Sequence, residues 1–212
     1  MKKTFASLLM VLVLPFLANA ASYTEGKQYT KVSEAASKSD EVREYFSFYC
    51  PHCKSAEPLF ATVKKALPEG VSFERNHVDF LRYASPEIQF LLTKALVTAQ
   101  QLDVEEKIVA ALFNYIQTQR ATVSKEKDIR NIFIIQGVEG EAFDKTFKSF
   151  TVNSKAKLMK KYQDEMSRKR ALTGVPAIIV NGKYRVNLDK LDPKNTIDDL
   201  NNLIAYLVKL DK

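Results

Sequence analysis

The chain has only two cysteines and two histidines in 212 residues, and this scarcity already closes several routes. A closed structural zinc site needs four ligands. Here the whole supply of soft donors is Cys50, Cys53, His52 between them and His77, with no second cysteine pair. A single crosslink between Cys50 and Cys53 is also a poor structural staple, because closing so short a loop removes only about 2 kcal/mol of unfolded-state entropy. Glycine and proline are sparse, at 6 and 7 residues, and no Pro/Gly/Ser-rich linker, internal repeat or low-complexity tract divides the chain. With 46% apolar residues, one compact core is expected. The longest apolar run, Phe5 to Leu17, is interrupted by Ser7 and Pro15 and falls short of the ~20 residues that span a bilayer.

That run instead has the form of an export signal. Lys2 and Lys3 precede it, and Ala18-Asn19-Ala20 supplies the small-x-small cleavage pattern. Residues 1–20 are therefore expected to be removed, leaving an exported protein that begins at Ala21 in a disulfide-permissive compartment. The net charge of +7 falls with the loss of Lys2 and Lys3 but stays basic. An exported protein meets little nucleic acid, so the basic balance reads as a solvated surface. The cluster Lys155, Lys157, Lys160, Lys161, Arg168, Lys169 and Arg170 is read the same way.

Both cysteines fall in Phe46-Ser47-Phe48-Tyr49-Cys50-Pro51-His52-Cys53-Lys54. Val42 to Tyr49, rich in aromatics and apolar on both faces, predicts a central strand. A helix follows from the cysteines to about Leu67, with Pro58 expected to kink it and Pro68-Glu69-Gly70 ending it. Val71 to Val78 predicts a second strand, so residues 42–78 make a parallel βαβ unit. Tyr29 to Val32 reads as an edge strand. From Tyr83 to Arg170 the pattern is helix after helix: Ser85-Pro86-Glu87 starts one, Asp103 and Ser124 are expected to cap two more, and Gly137 stops another. Strands return at Ala177 to Val180 and Lys183 to Val186 around the hairpin turn Asn181-Gly182. Thr196 to Leu210 closes the chain as an amphipathic helix.

A strand entering a helix through C-x-x-C is a thioredoxin-like redox site. The fold class expected is α/β, a thioredoxin-like fold with an inserted all-helical domain. Residues 21–82 and 171–212 form the thioredoxin-like domain and residues 83–170 the insertion. Cys50 stands at the helix N-terminus, where free N–H groups and the helix dipole favour a thiolate. His52 adds a donor or a positive charge in the same turn. Cys50 is then the sulfur that partners attack, and the deeper Cys53 resolves the mixed disulfide.

Several segments together resemble the DsbA family of periplasmic thiol:disulfide oxidases. They are Phe46 to Cys53, Gly26-Lys27-Gln28-Tyr29, Leu67-Pro68-Glu69-Gly70-Val71, Gly174-Val175-Pro176-Ala177 and Val180-Asn181-Gly182-Lys183-Tyr184. The resemblance implies a periplasmic oxidase that donates the Cys50–Cys53 disulfide to unfolded, newly exported proteins. It implies reoxidation by a DsbB-type quinone-linked membrane protein, with no other cofactor, no metal and no nucleic-acid partner, and a monomer. It assigns Pro51 and His52 to the catalytic motif, and Val175 with a cis Pro176 to the groove that receives substrate. It also makes Glu44 a buried acid that relays protons to the deeper thiol, or else a partner of Arg75 or Lys54, with Glu57 joining the cluster. A lysine is expected in the family where Arg75 stands, and an arginine cannot exchange protons. Two alternatives stay open: a reductase or isomerase of the same fold, and a metal-binding protein using Cys50, Cys53 and a histidine.

Overall fold

The computed structural model describes residues 23–210, so the expected export signal at residues 1–20 lies outside the described residues. Five strands form one sheet: β1 (Tyr29–Lys31), β2 (Glu41–Phe46), β3 (Ser72–His77), β4 (Ala177–Val180) and β5 (Tyr184–Val186). Their spatial order is β1-β5-β4-β2-β3. β2 pairs in parallel with β3, from Glu41 opposite Ser72 to Phe46 opposite His77, and antiparallel with β4. The helix α1 (Pro51–Ala66) makes the crossover between β2 and β3, which is the expected βαβ unit.

β2 is central because almost every side chain on it is buried. Val42 packs with Phe60 and Val63 of α1 and with Leu200, Leu203 and Leu207 of the terminal helix α7 (Thr196–Lys209). Tyr45, on the other face, packs with Ile179 and with Met166. The turn from β4 to β5 is carried by Asn181 and Gly182, both at positive φ (52° and 62°), as a tight hairpin requires.

Between β3 and β4 the chain leaves the sheet for five helices: α2 (Pro86–Gln101), α3 (Glu105–Phe113), α4 (Glu126–Ile135), α5 (Gly140–Phe147) and α6 (Phe150–Arg168). The fold is thioredoxin-like, of the α/β class, with an inserted helical domain. A widened π-helical turn at Asn114–Thr118 continues α3. The largest apolar cluster joins Phe46, Phe48 and Cys53 to Leu96, Ile108, Leu112 and Phe113. The sheet end that carries the cysteines is thus buried against the helical block. At about 1.5–3 kcal/mol for each large side chain taken out of water, this seam holds the block in place.

Local differences from the sequence expectation have identifiable causes. β2 stops at Phe46 rather than Tyr49, because Ser47 turns the chain: its hydroxyl accepts from the Tyr49 N–H (3.2 Å) and its carbonyl from the Cys50 N–H (3.0 Å). Ser85 does cap α2, accepting from the Ile88 N–H at 3.4 Å. Asp103 does not cap α3; it sits at φ 54° and Val104 takes that position, with Glu105 and Glu106 facing the helix dipole. Ser124 does not cap α4 either, since it donates to Asp128, which reaches back to the backbone of Ser124 and Lys125. α1 is continuous through Pro58, which removes one intrahelical donor.

Candidate active site

Cys50 is the N-cap residue of α1, with extended backbone (φ −90°, ψ 115°) and Pro51 in the first helical turn. Proline fits there because its missing N–H belongs to the group of donors that a helix start leaves unpaired. The Cys50 sulfur takes the place of a capping oxygen: Sγ accepts from the Cys53 N–H at 3.3 Å. It lies 3.3 Å from the Val175 carbonyl, to which the thiol donates. The Val175–Pro176 peptide bond is cis. Cys50 is 6% exposed and Cys53 0%, so the outer and inner thiols are distinct, and both are in the dithiol form. Burial pushes the Cys53 thiol well above its usual range, and the neighbouring Cys50 and the Glu44 charge add to the rise. His52 is exposed on the first turn of α1, while Cys53 on the same turn faces the core.

Beneath the cysteines lies a buried ionic cluster. Arg75, on β3 opposite Glu44, donates to the Glu44 carboxylate at 3.0 Å and to Glu57 of α1 at 2.5 Å. Lys54 is not part of it; its ammonium donates to Thr118 instead. One guanidinium therefore serves two carboxyl groups. Burial pushes Glu44 from 4.5 up to about 7, against the pull of Arg75 and with help from the Glu57 charge. Its Oε1 has no hydrogen-bond partner among the described residues. Glu57 is raised as well, again by burial.

This cluster gives a pH signature. A carboxyl group whose folded value exceeds its unfolded value binds its proton more tightly in the folded state. Its contribution is therefore most favourable below about 4.5 and is lost as pH rises through about 7. The full loss is about 3 kcal/mol at ~1.4 kcal/mol per unit. Glu44→Gln is expected to match the parent near pH 4 and to exceed its stability at pH 8 by a large part of that amount. Urea denaturation of the reduced protein at the two pH values checks it; equal stabilities at pH 8 would contradict the buried-acid assignment.

His77 stands apart from the cysteines chemically. It is buried, its Nδ1 is 3.0 Å from the Thr93 hydroxyl, and its ring stacks on Phe48. Burial, aided by Arg75, pushes it down to about 3, so it is a neutral core residue. Among the described residues no cluster of three or more His, Cys, Asp or Glu is arranged to hold a metal.

Two residues at the site were not singled out from the sequence. Ser47 makes the turn that delivers Cys50 to the helix start. Gln117, in the π-helical turn, donates to the carbonyls of Phe48 (2.7 Å) and Cys50 (3.0 Å). No local pattern announces Gln117, because its partners are far away in the chain and its turn departs from the helical period.

A strand-to-helix C-x-x-C pair on this fold, one thiol capping the helix and the other buried behind it, defines a thiol:disulfide oxidoreductase of the thioredoxin class. Comparison with known proteins narrows this. The family model for the DSBA-like thioredoxin domain matches residues 41–205. Thiol:disulfide interchange protein DsbA of Pectobacterium carotovorum is 42% identical over 195 residues, covering 91% of this chain and 89% of that protein. DsbA of Escherichia coli K12 is 39% identical over 198 residues, covering 92% and 91%. A solved structure of Proteus mirabilis DsbA, a cysteine-to-serine variant with the peptide PWATCDS bound non-covalently, superposes with a TM-score of 0.78. It is 34% identical, covering 89% of this chain and 99% of that one. The chain belongs to the DsbA family, and it is a thiol:disulfide oxidase.

Proposed function

We propose that the chain oxidises unfolded, exported proteins by handing over a Cys50–Cys53 disulfide through a mixed disulfide on Cys50. A substrate thiolate attacks Cys50 Sγ, the Cys50–Cys53 bond breaks, and Cys53 leaves with the electron pair. Cys53 then takes a proton, as the raised value of its buried thiol favours. A second substrate thiolate attacks the substrate sulfur of the mixed disulfide and releases Cys50 as a thiolate. The substrate has lost two electrons and the protein has gained them. The observation that carries this assignment is the asymmetry of the pair: Cys50 caps the helix and keeps a small exposed area, while Cys53 is fully buried.

The other residues take roles consistent with that order. His52 and Pro51 shape the first turn around the Cys50 sulfur. The Val175 carbonyl, 3.3 Å from Cys50 Sγ, with Pro176 beside it, is suited to meet the backbone of the attacking substrate. The peptide complex of the Proteus mirabilis relative supports a peptide substrate for this site. Glu44, with a proton affinity near neutrality, is the internal group suited to exchange a proton with Cys53. Arg75 holds Glu44 in place without itself exchanging protons. The export signal expected at residues 1–20 and the family together support a periplasmic protein, recharged by a DsbB-type quinone-linked membrane protein and working as a monomer. Residues 21–82 and 171–212 would carry the chemistry, and residues 83–170 would cover it.

Trapping tests the assignment of sulfurs. With Cys50 activated by a nitrothiobenzoate leaving group, Cys53→Ser is expected to capture a single-cysteine peptide as a lasting mixed disulfide. Cys50→Ser, treated in the same way, is expected to capture none. Equal capture by both variants would show that the attacked sulfur is wrongly assigned.

A further inference from the structure

The motif loop at the seam is gripped from the helical block at one point. Gln117 lies in the π-helical turn Asn114–Thr118. Turns of that kind widen a helix by one residue and re-aim a side chain. Both Gln117 contacts come from its amide nitrogen, to the carbonyls of Phe48 and Cys50, the two residues that bracket Tyr49. Its neighbour Thr118 receives the Lys54 ammonium from α1 at 2.5 Å. The Cys50 carbonyl also accepts the Lys54 N–H at 3.2 Å, the first bond of α1. Gln117 thus adds a second donor to the carbonyl that starts the helix and fixes the plane of the peptide leading into Pro51.

We propose that Gln117 is a positioning residue for the exchange: by clamping the Phe48 and Cys50 carbonyls it holds the first turn of α1 in the geometry that stabilises the Cys50 thiolate. This rests on the assignment of Cys50 as the reactive sulfur. The effect is selective for redox state. In the dithiol form the Cys53 N–H points at Cys50 Sγ at 3.3 Å, and a charged sulfur gains most from that alignment. In the disulfide form neither sulfur carries charge, so a loosened first turn costs little. Losing the clamp therefore weakens the reduced state and makes the disulfide less oxidising.

The test is the equilibrium of the full mature protein with glutathione: protein disulfide plus two glutathione thiols giving protein dithiol plus glutathione disulfide. Gln117→Met keeps the volume and removes the donors. Its equilibrium is expected to move toward the protein disulfide by on the order of tenfold, the scale of weakening the Cys53 N–H bond to a charged Cys50 sulfur. The melting temperature of its oxidised form should stay near that of the parent. Gln117→Asn retains the amide but withdraws it by one methylene, and should shift in the same direction by a smaller factor. A parental equilibrium constant in whichever variant folds overturns the proposal. So does a shift accompanied by an equal loss of stability in the oxidised form, which would mark a structural role only. Failure of the parent itself to exchange with glutathione would refute the assignment of Cys50, a result separable from these.

Discussion

Cys50→Ser abolishes oxidation of dithiol substrates, reducing the rate to the uncatalysed background while leaving the fold intact. The expectation follows from where the two sulfurs sit. Cys53 is wholly buried, beneath Cys50 and among Phe46, Phe48 and Phe113, so it offers no surface to an incoming thiolate. Without Cys50 the chain also cannot form the disulfide that takes up the substrate's two electrons, and burial, which raises the Cys53 thiol, disfavours a replacement disulfide with an outside thiol. The substitution itself is mild for stability, since a serine hydroxyl can take over the cap that Cys50 Sγ provides to the Cys53 N–H. Following disulfide formation in a two-cysteine peptide, together with far-ultraviolet circular dichroism, checks both halves. Residual activity near that of the parent would contradict the assignment.

The second large effect is a weakening of the usual gain from crosslinking. Closing the Cys50–Cys53 loop is worth about 2 kcal/mol from chain entropy. Reduction frees the Cys50 sulfur to cap the start of α1, with the Cys53 N–H directed at it. A charge-assisted bond from the Cys53 N–H is worth roughly 2 kcal/mol. The helix terminus adds about 1–2 kcal/mol for a partly buried anion. Against these, the Val175 carbonyl loses the thiol it accepted from, at a cost of about 1 kcal/mol. These helix-start terms oppose the loop term, so the crosslink adds less stability than loop closure alone would give. Denaturant midpoints with and without excess reductant at pH 7 should place the oxidised form ahead by less than the ~2 kcal/mol of loop closure. An oxidised form ahead by the full loop term or more would contradict the oxidising character of the site.

Much of this architecture is legible because it is local. The apolar run through Val42 and Phe46, the Cys50-Pro51 helix start and the Asn181-Gly182 turn each state their conformation within a few residues. The helical block is equally plain from its apolar spacing. Asp103 and Ser124 mislead because capping is a contest: Asp128 reaches back over Ser124, and Asp103 is used for the turn itself. The strand end at Phe46 is hidden because Phe48 stays buried after the strand has turned, so burial continues where pairing does not. Arg75 is visible as a charge in the predicted second strand, but its division between Glu44 and Glu57 depends on strand register and helix packing. Gln117 is beyond any local pattern, since only the folded helical block brings it to Phe48 and Cys50.

The central claim is that the Cys50–Cys53 disulfide oxidises a dithiol in another chain, breaking as the new disulfide forms there and taking up two electrons. The most direct measurement mixes the oxidised mature protein with an equimolar, reduced, unfolded protein carrying two cysteines, then quenches with acid and follows both by mass spectrometry after thiol alkylation. The account predicts that the substrate loses two alkylatable thiols while the protein gains two, at Cys50 and Cys53, in equal amounts and well ahead of a control with glutathione disulfide. A substrate that stays reduced while the protein keeps its disulfide would contradict it.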